Sequence, residues 1–335
     1  MKYVNSYQIF IVYSSILILI VVLGLALSFG SYKVTFIDYL YSDMSKVQES
    51  VFTKIRFPRV LLSAFVGASL ATSGACLQGL FRNPLADPGL IGVSAGAALG
   101  ATSFIVLGSN FIQSSVTNPY LLPLSSICGS AFVISALFFI TRGFGKEGIT
   151  YLLLAGIAVN AFSGVGIGIL TYISDDSELR GLTFWTMGSF GGATISMIGP
   201  ALLFIIFSFI WIIKEARKLD ILQLGESEAY RLGIDIKKLR FSVIVSSAII
   251  VGISVSLSGM IGFVGLVVPH LARILGGVNH SFLLPSSALM GAILMVLADL
   301  FARTMIKPAE LPVGLITSAI GSPFFLWLIF RIRKS

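Results

Sequence analysis

Apolar runs of about 20 residues recur along the whole chain, and that recurrence limits the fold more than any other feature. Wound as a helix, a run of that length matches the hydrocarbon thickness of a bilayer, where backbone polar groups must be satisfied internally. Ten such windows fall near 9–29, 57–80, 90–107, 121–140, 150–172, 195–213, 241–259, 262–276, 282–302 and 312–330. The third and eighth are short for a full crossing and are expected to tilt or to pack inside a bundle. A further apolar piece, 181–190, is too short to span and reads as an interfacial helix. The first run exceeds the apolar core of a signal peptide and is read as a span. The expectation is an all-α polytopic membrane protein, a single transmembrane domain over 1–335. Only 11% of the residues are charged, against roughly 25% in soluble proteins, which excludes a string of soluble domains.

Ten crossings place both termini on one side. With the N-terminus inside, the inner segments hold 15 of the 23 basic residues, and the outer segments hold eight. Acidic residues divide nearly evenly, so the whole net charge of +8 falls on the inner face. Lys and Arg are retained on the cytoplasmic side, so this orientation is the expected one. The basic residues alternate with apolar runs instead of forming one patch, which argues against nucleic acid as a partner. Cys76 and Cys128 both lie in apolar segments without C-x-x-C spacing, so neither a disulfide framework nor a metal site is implied.

Outside the loop at 30–56, the longest polar interval is 214–240, with seven basic residues: Lys214, Arg217, Lys218, Arg231, Lys237, Lys238 and Arg240. Leu219, Leu222, Leu224, Ala229 and Leu232 are interspersed with Glu226, Glu228 and Arg231, as in one or two short amphipathic helices. Gly225 and Gly233 punctuate them. The segment reads either as a solvated loop whose charge fixes orientation or as a docking surface for a cytoplasmic partner. Between the second and third windows, Pro84 and Pro88 break any continuous helix and predict a rigid cytoplasmic elbow. Residues 66–92 also lie without gaps over 251–277, with Gly67/Gly252, Gly74/Gly259 and Pro84/Pro269 among the identities. The two copies would run in opposite directions, and inverted repeats are a transporter device.

Several motifs, in order, resemble one family. They are R-F-P-R at 56–59, S-G-A-C-L-Q at 73–78, N-P-L-A-D-P-G-L-I-G-V-S at 83–94, L-L-L-A-G at 152–156, W-T-M-G-S-F at 185–190, L-G-E-S-E-A-Y-R-L-G at 224–233 and G-L-V-V-P-H-L-A-R at 265–273. Over essentially its whole length the chain resembles the permease subunits of ABC importers for iron chelates, haem and cobalamin. The resemblance implies a homodimer with the pathway at its interface, two cytoplasmic ATPase subunits, an extracytoplasmic substrate-binding protein, and a place in the bacterial cytoplasmic membrane. It implies a non-catalytic chain binding no cofactor of its own, with ATP and Mg used by the partner ATPase. No G-x-x-x-x-G-K-[ST] phosphate loop occurs in the sequence, in agreement with that division of labour.

By the same resemblance, Leu224, Gly225, Glu226, Ala229, Arg231, Leu232 and Gly233 belong to an ATPase-coupling segment. Arg56, Arg59 and Arg303 fall where family members present positive charge to a binding protein; interfacial snorkelling is the plainer alternative. Ile149, Thr150 and Asn160 are expected along the pathway, although Asn160 suits a neighbouring backbone carbonyl equally well. Arg180, on an outer stretch with Asp175, Asp176 and Glu178, either attracts an anionic chelate or pairs with one of those acids. Asp299 stands i, i+4 from Arg303 and is expected to pair with it near the outer interface. The two histidines, His270 and His280, are expected to be structural and not to ligate metal. The elbow motif looks most like the haem importers, so haem leads ferric siderophore and cobalamin as the expected substrate. An ion-coupled secondary carrier is the rival reading, but carriers of that class usually need buried proton relays.

Overall fold

In a computed structural model, residues 5–30, 44–111, 118–141, 148–306 and 309–334 are described, together with Tyr32, Tyr39 and Tyr41. Every regular element among them is helical. Helix α1 (Ser6–Ser28) opens on a reciprocal capping box between Asn5 and Gln8. A short helix, Lys46–Ser50, and a π-helical turn, Val51–Arg56, lead directly into α2 (Phe57–Phe81). Part of the expected loop at 30–56 is therefore helical, because Ser45 and Gln48 form a second capping box. There follow α3 (Val93–Phe111), α4 (Leu121–Thr141), α5 (Gly148–Ile173), α6 (Asp176–Met187) and α7 (Ile195–Lys214). The polar interval holds α8 (Ala216–Leu222) and α9 (Glu226–Arg231). Then come α10 (Ile236–Ser258), α11 (Val264–Gly276), α12 (His280–Ala302) and α13 (Val313–Lys334).

Among the described residues, seven helices are long and apolar enough to cross a membrane: α1, α2 with its lead-in, α4, α5, α7, α10 and α12. The apolar stretches of α3, α11 and α13 are shorter, so ten full crossings do not follow from length and composition. Helix α6 begins earlier than the interfacial helix expected at 181–190. Asp175 and Glu178 cap its start reciprocally, and Gly188, at φ +74°, ends it.

Helices α2, α10 and α12 form the core, and α2 packs against both of the others. Glycine makes that approach possible. A Cβ on Gly67 would lie 2.1 Å from the Gly291 carbonyl oxygen of α12, and where α11 also meets α2, one on Gly74 would lie 1.9 Å from that of Gly265. In lipid, where apolar side chains gain little from leaving the solvent, such backbone contact is a main source of helix association. Outside the core, α1, α4, α5 and α7 turn large apolar side chains outward, including Phe10, Phe132, Phe162 and Phe207.

Hydrogen bonds define the two ends of the bundle. At one end Gln8 donates to the Gly276 carbonyl, and Asp220 accepts from the His280 backbone. At the other, Arg303 donates to the Ala26 carbonyl, Ser189 N–H to Ser258 and Val313 N–H to Gly188. The start of α1 and the segment 216–223 thus share an end, and α13 starts at the opposite one.

Packing adds to two expectations. The elbow breaks the helix as its prolines predict, and part of it enters the bundle. Asn83, Pro84 and Leu85 are exposed, but Ala86, Pro88 and Ile91 are buried. The 3-10 turn Pro88–Ile91 packs on the middle of α5, where Asn160 donates to the Gly89 carbonyl at 3.0 Å. Helix α3 consequently starts inside the bundle and has less distance to cover. The ungapped repeat fails at the breaks between helices. Residues 74–81 are helical in α2, whereas their counterparts from 259 turn at Gly259 (φ +72°) before α11 begins.

Candidate functional site: a two-helix polar segment and a buried arginine cluster

The polar interval folds into two short helices with different attachments. In α8, Ala216, Leu219 and Leu222 are buried against the core. Glu215, just before it, accepts from the Ser242 hydroxyl of α10 at 3.0 Å and pairs with Lys218 at 2.8 Å. Gln223 donates to the Gly79 carbonyl of α2 at 2.8 Å. The chain then turns at Gly225, whose φ of +107° is open to glycine and strained for other residues.

Helix α9 rests on the rest of the chain mainly through Ala229, which is fully buried, and through Glu226, whose carboxylate meets Arg240 at 2.5 Å. Gly233, at φ +82°, closes it with the Ile234 N–H on the Ala229 carbonyl and its own N–H on that of Tyr230. Between these anchors, Leu224, Tyr230 and Leu232 stand 66%, 75% and 60% exposed. Arg231 is exposed beside them and pairs with Glu228 at 2.9 Å. An open hollow runs along this face, lined by Arg82, Glu226, Tyr230, Asp235 and Arg240 among others. Asp235 caps α10 through the Lys238 N–H, and that bond, foremost, holds its carboxyl below the usual range.

Of the seven residues expected to meet an ATPase, the structure presents Leu224, Arg231 and Leu232 outward and shapes the turns with Gly225 and Gly233. Ala229 faces inward, and Glu226 is engaged within the chain. Tyr230, the most exposed of the large apolar side chains here, carried no separate signal in the sequence beyond its place in the motif.

At the opposite end the three expected docking arginines are buried, at 4%, 5% and 4% exposure for Arg56, Arg59 and Arg303. Arg56 donates to the carbonyls of Leu27, at 3.0 Å, of Ser28, at 3.1 Å, and of Tyr32. Arg59 bridges Asp299 at 2.8 Å and Glu310 at 2.7 Å. Arg303 lies 3.5 Å from the other oxygen of Asp299, so the expected i, i+4 pair is present within a larger network. Among the described residues of this cluster, Glu310, its side chain 47% exposed, is the one open to the surface. The arginines tie α1, α2 and α12 together and do not form an open positive rim.

The expected pathway residues are not gathered into one site. Asn160 spends its amide on the elbow. Ile149 and Thr150 lie in the first turn of α5, and their side chains are outside the described residues. Arg180 is exposed on α6, and the nearby Asp175 and Glu178 are committed to the cap of that helix. His280 is buried and bonded to Asp220. Among the described residues no cluster of His, Cys, Asp and Glu could hold a metal ion.

The chain matches the model of the FecCD transport family over residues 16–331. It is 45% identical over 324 residues to the hemin transport system permease protein HmuU of Yersinia pestis, covering 95% of each chain. It is 38% identical over 293 residues to the vitamin B12 import system permease protein BtuC of Vibrio vulnificus, covering 87% of this chain and 86% of the other. A solved structure described as an inward-facing conformation of a metal-chelate type ABC transporter superposes with a TM-score of 0.85 at 34% identity, covering 96% of this chain and 99% of that one.

Proposed function

The chain belongs to the FecCD transport family and is a permease, not a hydrolytic subunit, and from that premise we propose that it carries an iron-containing chelate, haem before the others, across the bacterial cytoplasmic membrane, driven by ATP hydrolysed on separate chains. The observation that carries this reading is the face made by α9 and the turns on either side of it. Leu224, Tyr230 and Leu232 are large, apolar and mostly exposed, yet they lie in the most strongly charged interval of the sequence and outside the spanning helices. Exposed apolar groups rimmed by charge mark a protein interface, and an ATPase pair is the partner that the family supplies.

In this reading α1, α2, α4, α5, α7, α10 and α12 cross the membrane, and the shorter α3, α11 and α13 complete ten passages within the bundle. The retention of basic residues around 214–240 puts that end, and both termini, in the cytoplasm. The opposed helices α2 and α10 carry what internal symmetry there is, over 66–73 and 251–258. A second copy faces the outward side of α5, where Leu154, Ile157, Phe162, Val165, Ile169 and Tyr172 are exposed at helical spacing. Substrate passes between the copies, with Ile149 and Thr150 toward the inner mouth. An external binding protein delivers it near Glu310 and Arg180. Arg59 can take a carboxylate of that protein only when Glu310 gives way.

Haem is favoured over cobalamin because the identity to the hemin permease, 45%, exceeds the 38% to the vitamin B12 permease. The test is uptake into proteoliposomes holding the permease with its ATPase, with the binding protein and haemin, cyanocobalamin or a ferric siderophore outside. ATP-dependent accumulation of haemin alone is expected. Accumulation of cobalamin or siderophore in its place reassigns the substrate. Uptake driven by a proton or sodium gradient without the ATPase overturns the mechanism.

A further inference from the structure

At the inner end of the bundle, three segments distant in sequence meet around one side chain. His280 is the first residue of α12 and is 3% exposed. Its backbone N–H donates to the Asp220 carboxylate of α8 at 2.8 Å, and its ring Nδ1 lies 2.6 Å from the same oxygen. A carboxylate accepts, so Nδ1 carries the proton in that bond. The other ring nitrogen, Nε2, points at α2 over Gly79. A Cβ there would lie 2.2 Å from Nε2, so the ring fits only because residue 79 has no side chain. Gln223, one residue past α8, donates to the Gly79 carbonyl at 2.8 Å and to that of Leu219 at 3.1 Å. The same backbone unit of α2 thus makes room for the α12 histidine and accepts from the end of α8.

We propose that Asp220 and His280, seated on Gly79 and held by Gln223, form the joint through which movement of the cytoplasmic segment reaches α2 and α12. This rests on the permease reading above and goes beyond it in naming positioning residues behind the exposed face of α9. The attachments of α8 and α9 divide the work. Helix α9 offers exposed side chains, whereas α8 buries its apolar side and bonds to the helices behind it. A push on α9 is received by α8 and leaves it through Asp220 to α12 and Gln223 to α2, beside the ties to α10 made by Glu215 and Glu226. Helix α12 continues without a break to Asp299, about 28 Å further on at 1.5 Å per residue, where it binds Arg59 of α2 and Arg303. The inner joint and the buried outer cluster therefore lie on the same pair of helices.

The experiment uses the complete complex in proteoliposomes, with haemin as the probe and ATP hydrolysis measured alongside uptake. Asp220→Ala should keep hydrolysis within about twofold of the parent and lower haemin taken up per ATP about tenfold. Asp220→Asn retains an acceptor oxygen and should recover most of the loss. Gly79→Ala displaces the His280 ring while leaving Asp220 intact, and should reproduce the Asp220→Ala phenotype. Parental uptake per ATP in Asp220→Ala, or in Gly79→Ala, overturns the joint. Hydrogen exchange on the purified permease reads the same contact without a substrate. Asp220→Ala should speed exchange at 219–224 and at 280, with α4 unchanged. Unchanged exchange at both places overturns the joint even if the parental complex moves no haemin, a result that on its own would count against the transport reading only.

Discussion

Arginine 59 shows how a residue's chemistry can be read from sequence while its partners cannot. Arg303 and Asp299 are one helical turn apart, so their pairing follows from local spacing. The stronger partner of Asp299 is Arg59, 240 positions away, and only the packing of α2 on α12 brings them together. For the same reason burial of the three arginines was not legible, because snorkelling and burial draw on the same sequence near a helix end. Removing one member of a buried charge network leaves the others uncompensated, at a cost of roughly 3–5 kcal/mol. Asp299→Ala should therefore destabilise the permease by about that amount, read from its unfolding in detergent; a change within about 0.5 kcal/mol would contradict the network. Charge reversal at Arg56, Arg59 or Arg303 tests folding before it tests docking. Glu310 is the better probe of docking, since it is the only half-open member. Glu310→Gln should leave the fold intact and strengthen association with the binding protein, measured against ionic strength. Weaker association would assign Glu310 itself to the contact.

Among the elements, the elbow between α2 and α3 departs most from its sequence. Two prolines announced a break, but nothing local disclosed that the break turns back into the bundle to meet Asn160. Asp87 caps its 3-10 turn through the Gly89 N–H at 2.8 Å, while burial pushes its carboxyl above the usual range. A carboxyl raised on folding contributes stability when protonated, below its unfolded value, and that contribution is lost as pH rises through the folded one. At neutral pH the half-buried carboxylate is a cost. Asp87→Asn keeps the capping oxygen without the charge, so its melting temperature should equal or exceed the parent's at pH 7, and its acid-range pH dependence should be flatter. A lower melting temperature at pH 7 would show that the charge itself is needed. The glycine seams are a second element-scale feature; the sequence holds 34 glycines. It did not say which glycines touch. Gly67→Val drives a side chain into the Gly291 carbonyl and should cost roughly 1–3 kcal/mol or more. Gly164→Ala, with nothing within 4 Å, should be tolerated.

At the scale of the whole molecule, the face proposed to receive an ATPase lies at one end of a bundle whose central helices run from that end to the buried arginines. The class of fold and the polar interval at 214–240 were legible because hydropathy and charge placement are properties of sequence averages. The division of the interval into an anchored α8 and a presenting α9 was not, since Leu222 and Leu224 look alike in sequence and only one is buried. The measurement that tests the central claim most directly is ATP-driven haemin uptake by the reconstituted complex bearing Tyr230→Ala together with Leu232→Asp. Both side chains are exposed and neither touches the core, so the isolated permease should unfold at the parental temperature. The variant complex should lose ATPase association and uptake together, by about tenfold or more. Parental uptake with parental ATPase association would contradict the account.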